Sequence, residues 1–166
     1  MDETKNPIDV PQRRYVIASR EISANKIVTR NILFCTAWAG IDKVNGVAFL
    51  CHFDTPFSIL SISKILSEIK RMVPGEHAFE TKIVNGTFFL FPYSLLTRTI
   101  LLLCLRFQSK IICRVKCERF LYLNLRRAVS IDLKKMKWSL EAYSWEPIQK
   151  KKLGWSLLMK IVKTHA

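Results

Sequence analysis

The stretch Val47–Phe53, VAFLCHF, carries no polar side chain before His52. A strand with one face in water alternates apolar and polar residues, so an unbroken apolar run of this length reads as a strand covered on both faces. Residues 40–46, GIDKVNG, precede it and hold the Gly, Asp and Asn that turns use. Asp54-Thr55-Pro56 follows, a capping residue and then Pro at a first helical position. One buried strand with a turn before it and a helix after it already points to a mixed domain.

The neighbouring segments extend that reading. Residues 14–19 (RYVIAS), 27–29 and 33–39 are β-rich, so residues 27–53 read as two strands joined by the turn at 40–46. In FSILSISKILSEIKRMV, Ile59, Ile62, Ile65, Leu66, Ile69 and Met72 recur at helical spacing. Val73-Pro74-Gly75 ends that helix. Residues 80–84 with Asn85-Gly86 predict a strand and a tight turn, and residues 110–115 predict another strand. Residues 127–133 and 136–143 predict a hairpin around Lys134-Lys135. Residues 147–166 carry Leu153, Leu157, Ile161 and Trp155, Leu158, Val162 among lysines, the pattern of a basic amphipathic helix. The expected fold class is α+β: a single-domain α/β sandwich with one mixed, mostly antiparallel sheet, two main helices and a C-terminal amphipathic helix. At 166 residues the chain holds one compact domain. The expected division is a polar segment at 1–13, the domain at 14–144 and a basic tail at 145–166.

The most apolar window, residues 87–105 (TFFLFPYSLLTRTILLLCL), is broken by Pro92 and Arg98. An Arg at a bilayer centre costs about 2.5–3.5 kcal/mol on insertion scales, and Pro suits the first turn of a helix. The window reads as a short strand at 87–91 and a buried helix at 93–108. The N-terminus MDETKNPIDVPQRR has no apolar core of a signal peptide. The five cysteines are an odd number within apolar runs. Reduced thiols in a cytosol are the expectation. The pair Cys113/Cys117 offers two ligands where zinc takes four, so no metal or cofactor is expected.

Charge divides the chain. Residues 1–88 hold 11 Lys+Arg against 9 Asp+Glu, whereas residues 89–166 hold 16 against 4. A basic half suits nucleic acid, an anionic membrane, an acidic partner or simply a solvated face. Here the basic residues alternate with aliphatic ones, and zinc-finger spacing and RNP-type aromatics are lacking, which disfavours nucleic acid. A non-catalytic module docking on an anionic membrane or acidic protein through the basic half and tail is the alternative to an enzyme.

The vocabulary for an enzyme is short. His52 ends the buried strand just before a helix start, where a side chain leaves the sheet edge for a crevice. Cys35 falls in the strand expected to pair with it, and neighbouring strands lie about 4.8 Å apart. An imidazole that draws the thiol proton lowers the thiol pKa and yields a nucleophile. Thr29, six residues before Cys35, places a hydroxyl to accept the other imidazole N–H and fix the tautomer. Cys51 points to the opposite face from His52. A buried core thiol and a satisfied structural histidine remain the plain alternative for the same residues.

The segment IVTRNILFCTAWAGIDKVNGVAFLCHFDTP resembles the active-site segment of CheD, the bacterial chemoreceptor glutamine deamidase family. That family has a strand ending in Thr, a six-residue step to a catalytic Cys and a His seventeen residues beyond; Thr29, Cys35 and His52 keep both spacings. FETKIVNG at 79–86 and LRRAVSID at 125–132 are similar to its later strands. The chain departs from it in Leu33-Phe34 before the Cys, in Phe53-Asp54 after the His and in its few glycines. The resemblance covers residues 14–143 in order. It implies Cys35, His52 and Thr29 as catalytic residues and a target glutamine on a chemoreceptor. Because deamidase toxins of the cytotoxic necrotizing factor kind share the Cys/His core, a host protein is the other implied substrate. It implies no cofactor, and it sets the reaction in a bacterial cytoplasm or, for a delivered effector, in a host cytosol.

Overall fold

The computed structural model describes residues 7–72, 75–85, 92–107, 112–117 and 126–143. The expected strand at 87–91 and amphipathic helix at 147–166 lie outside them. The fold is mixed α+β, with two helices and two mostly antiparallel sheets. One sheet was expected, and two are present because the strands of 27–53 divide between them.

The four-stranded sheet runs β1 (Ile8–Asp9), β3 (Lys26–Thr29), β8 (Arg126–Asp132), β9 (Lys137–Tyr143). The five-stranded sheet runs β2 (Tyr15–Ser19), β5 (Val47–Phe53), β4 (Thr36–Asp42), β6 (Ala78–Asn85), β7 (Ile112–Cys117). Among the described residues only β1–β3 and β6–β7 pair in parallel. The expected hairpin is β8–β9, with its turn at residues 133–136.

Every residue of β5 is buried, as its composition requires. Its odd-numbered side chains, Val47, Phe49, Cys51 and Phe53, pack against Ile59, Ile62, Ile65 and Ile69 of the helical layer. Its neighbours Ala48 and Leu50 face the four-stranded sheet, packing with Ile27, Val129 and Ile131. Small side chains (Ala37, Ala39, Ala48) crowd the sheet–sheet face, whereas Trp38, Phe49 and Phe79 fill the helix side.

Gly40 was expected in a turn but lies inside β4. A Cβ there would come 2.1 Å from the Phe49 ring, which meets Trp38 edge-on at a centroid distance of 4.5 Å. The turn begins after Asp42, and Gly46 supplies its positive φ of 64°.

Thr55-Pro56 does open a helical segment, first as a 3₁₀ turn over Pro56–Ser61. Helix α1 (Ile62–Met72) continues it, burying Ile62, Ile65, Leu66 and Ile69. Helix α2 (Pro92–Phe107) matches the expected 93–108 closely. Among the described residues no helix is long and apolar enough to cross a membrane.

Candidate active site

Three segments converge at one end of the sheet–sheet interface. β3 ends at Thr29, β5 carries His52 on its penultimate position, and a loop between β3 and β4 delivers Cys35. That loop is fixed by buried Ile32, whose N–H donates to the Arg127 carbonyl of β8 at 3.1 Å. Asn31 takes the left-handed φ of 62° that lets the chain reverse.

Cys35 was expected within a strand over 33–39 and opposite His52. It instead sits one residue before β4, and Ala37 is the partner of His52 across the ladder. Pairs across a ladder share a face, and so do residues two apart along a strand. Cys35 lies in a bend just before that ladder, next to the pair Thr36–Phe53 at the His52 end of it. The imidazole was expected in a crevice at the sheet edge; it faces the four-stranded sheet and is only 1% exposed. Cys35 is 6% exposed, and Thr29 is wholly buried. Cys51 packs against the helices on the opposite face, as alternation requires.

The hydrogen bonds fix the imidazole tautomer. The Thr29 hydroxyl donates to the Val10 carbonyl at 2.8 Å. A hydroxyl has one proton to give, so its 2.7 Å contact with His52 Nδ1 must have the ring N–H donating to Oγ1. Nδ1 is protonated and Nε2 carries the lone pair. Nε2 is buried and, among the described residues, has no hydrogen-bond partner. An orphan buried acceptor is costly unless something arrives to use it.

Burial pushes the Cys35 thiol above the ordinary cysteine range, and the Asp54 carboxylate adds to the push; Gln12 and the Phe34 backbone oppose it. Burial also holds His52 below the ordinary imidazole value, against the Val10 carbonyl and the carboxylates of Asp54 and Asp9. The expected lowering of the thiol pKa by the imidazole is not what sets its direction: burial and Asp54 raise it, opposed by Gln12 and the Phe34 backbone rather than by His52.

Four neighbours were missed in the sequence. Gln12 Nε2 donates to Cys35 Sγ at 3.5 Å, Val10 holds Thr29, and Arg13 forms an ion pair with Asp54. Val10, Gln12 and Arg13 all come from the short segment between β1 and β2, which looks like a polar leader when read alone. Its tie to the site is backbone: Arg13 N–H donates to the His52 carbonyl at 2.9 Å, and His52 N–H to the Arg14 carbonyl at 3.0 Å. Among the described residues no cluster of three His, Cys, Asp or Glu is arranged to hold a metal ion. The side chains of Cys113 and Cys117 lie outside the description. Neither the models of known protein families nor the sequences of curated proteins give a match to this chain.

Proposed function

We propose that the protein is a protein-glutamine deamidase with Cys35 as nucleophile, His52 as general base and Thr29 as the group that orients the imidazole. The observation that carries this reading is the Val10–Thr29–His52 hydrogen-bond chain. It sets the imidazole in the tautomer whose free lone pair lies at the far nitrogen, and Gln12, next to the Arg13 that bonds the His52 carbonyl, ties Cys35 to the same end of the ladder.

In the proposed reaction Sγ bonds to the carboxamide carbon of a glutamine side chain while its proton passes to His52 Nε2. The carbonyl π electrons move onto oxygen, which N–H donors near Cys35 stabilise. Collapse of this adduct breaks the C–N bond, and His52 returns the proton so that ammonia departs, leaving a thioester. Water, deprotonated by His52, then cleaves the thioester to glutamate and the free thiol. The resemblance to CheD-like deamidases supports the same assignment, with a chemoreceptor or a host protein as substrate and a reducing cytoplasm or cytosol as the setting.

Mass spectrometry of lysate proteins tests it. Glutamine-bearing peptides gain about 1 Da with the intact protein and not with Cys35→Ala. Equal gains with both proteins sink the proposal.

A further inference from the structure

We infer that Gln12 supplies the side-chain N–H donor of the oxyanion hole at Cys35, an assignment that rests on the deamidase reading. Its Nε2 already donates to Sγ at 3.5 Å, and the residue is exposed. It therefore meets the sulfur from the solvent side, the side from which a substrate carboxamide arrives. In the tetrahedral adduct the oxyanion lies two bonds from Sγ, so a small rotation carries this donor from the sulfur to the oxygen. The amide is neutral and its second N–H remains for water. It stabilises developing charge without carrying a charge of its own, which agrees with a thiol whose pKa burial raises.

The backbone around Gln12 is built to hold it there. Arg14 N–H closes a turn onto the Pro11 carbonyl at 3.3 Å. Arg13, next to Gln12, has a φ of 62°, a left-handed conformation that a non-glycine residue adopts at a cost. Two hydrogen bonds to the backbone of His52's strand and the ion pair to Asp54 restrain that conformation. The turn is thus tethered to the residue that takes the proton, so donor and base keep a fixed relation across the sulfur.

Gln12 is itself a glutamine, which raises the possibility of self-modification. The hydrogen bond speaks against it. An N–H aimed at Sγ puts the sulfur near the plane of the carboxamide, whereas attack on the carbonyl carbon comes from above that plane. The group is held as a donor and not as a substrate.

The test uses a glutamine peptide whose side-chain carboxamide is replaced by an aldehyde. It adds to the Cys35 thiol as a hemithioacetal: the S–C bond forms, and the thiol proton ends on the former carbonyl oxygen. Gln12→Ala is expected to weaken this adduct roughly ten- to a hundredfold. Alkylation of Cys35 by iodoacetamide, which develops no oxyanion, reports the thiol alone and separates the adduct loss from whatever removing Gln12 does to the thiol pKa and its access. Gln12→Glu, which places an acceptor where the donor stood, weakens the adduct at least as much. Equal aldehyde affinity in the wild type and Gln12→Ala overturns the inference while leaving the deamidase reading intact. So does a 1 Da gain at Gln12 in the wild type that Cys35→Ala lacks, since that makes Gln12 a self-substrate. A wild type that forms no Cys35 adduct overturns both.

Discussion

The β4–β5 ladder carries a histidine-centred cluster at each end, and the two are wired differently. At the turn end, buried Asp42 accepts the backbone N–H groups of Val44 and Asn45 at 3.1 Å each and the Asn45 side chain at 2.7 Å. Its other tie is His77 Nδ1 at 2.9 Å, and the His77 ring stacks on Phe79 at 5.6 Å. Asn45 also reaches the Glu76 carbonyl at 3.1 Å, so the cluster staples the turn to the segment before β6. At the other end His52 is held on one side by a neutral hydroxyl, and its second nitrogen is left buried and open. A histidine locked to a carboxylate beside a crowded turn serves stability. One anchored at Nδ1, with a buried and unused Nε2, is the end on which the proposed proton transfer rests.

Mutations at the two ends should therefore separate activity from folding. The largest effect is expected at the open end: Cys35→Ala leaves no turnover, and His52→Gln lowers kcat about 10⁴-fold, with thermal unfolding little changed. Ammonia release from a glutamine peptide measures both, and full activity in His52→Gln would place the base elsewhere. At the stapled end Asp42→Ala removes the carboxylate that His77 Nδ1 and three N–H donors share, and is expected to cost about 3 kcal/mol in urea unfolding. Its kcat should match the wild type once the protein is folded. A kcat loss in Asp42→Ala larger than its stability loss would break the division between the two ends. Thr29→Val is smaller and acts on both quantities. It keeps the volume but leaves His52 Nδ1–H and the Val10 carbonyl without their partner, so stability falls by about 1–2 kcal/mol and kcat by roughly tenfold as the tautomer loses its anchor.

The contrast between the ends was only half legible in the sequence. The apolar run of β5 announced a strand covered on both faces, and strand alternation correctly sent Cys51 away from His52. Helices α1 and α2 were written in their 3.6-residue stripe and in Pro92. Sheet membership was hidden, because nothing in Ile27–Val28 distinguishes a strand that continues a sheet from one that starts another; only burial of Ala37, Ala39 and Ala48 beneath Ile27 and Ile131 decides it. Gly40 imitated a turn residue while serving as the slot for the Phe49 ring. The Asp42–His77 staple spans 35 residues and carries no local motif. Gln12 was equally silent, since its reach to Cys35 depends on a turn tied by backbone bonds to a strand forty residues away. The Thr29/Cys35/His52 spacing was the readable part of the site, and the direction of the thiol pKa was not, because burial depends on the whole tertiary structure.

The smallest and sharpest effect is on pH dependence, where the two ends titrate in different windows. Burial puts the His52 pKa in the folded chain below the ordinary 6.5. As pH falls through 6.5 the unfolded chain takes up a proton before the folded one does. The stability that depends on neutral His52 is therefore complete above pH 6.5 and is lost on the acid side, down to the folded pKa. The same protonation removes the base, so the acid limb of kcat/KM is expected with its midpoint below 6.5. For Asp42 burial alone would raise the carboxyl, but the Asn45 donors and His77 outweigh it and hold it below the ordinary 3.8. Its contribution persists down to about that value and is lost only as pH falls through the still lower folded pKa. On acidification activity should consequently fade while the turn-end staple still holds. Urea unfolding measured alongside kcat/KM from pH 8 to 4 checks this, with His52→Gln losing the slope below pH 6.5 and Asp42→Asn retaining it. An acid limb centred above 6.5 would mean that the carboxylates and the Val10 carbonyl outweigh burial at His52, the reverse of the direction its surroundings impose.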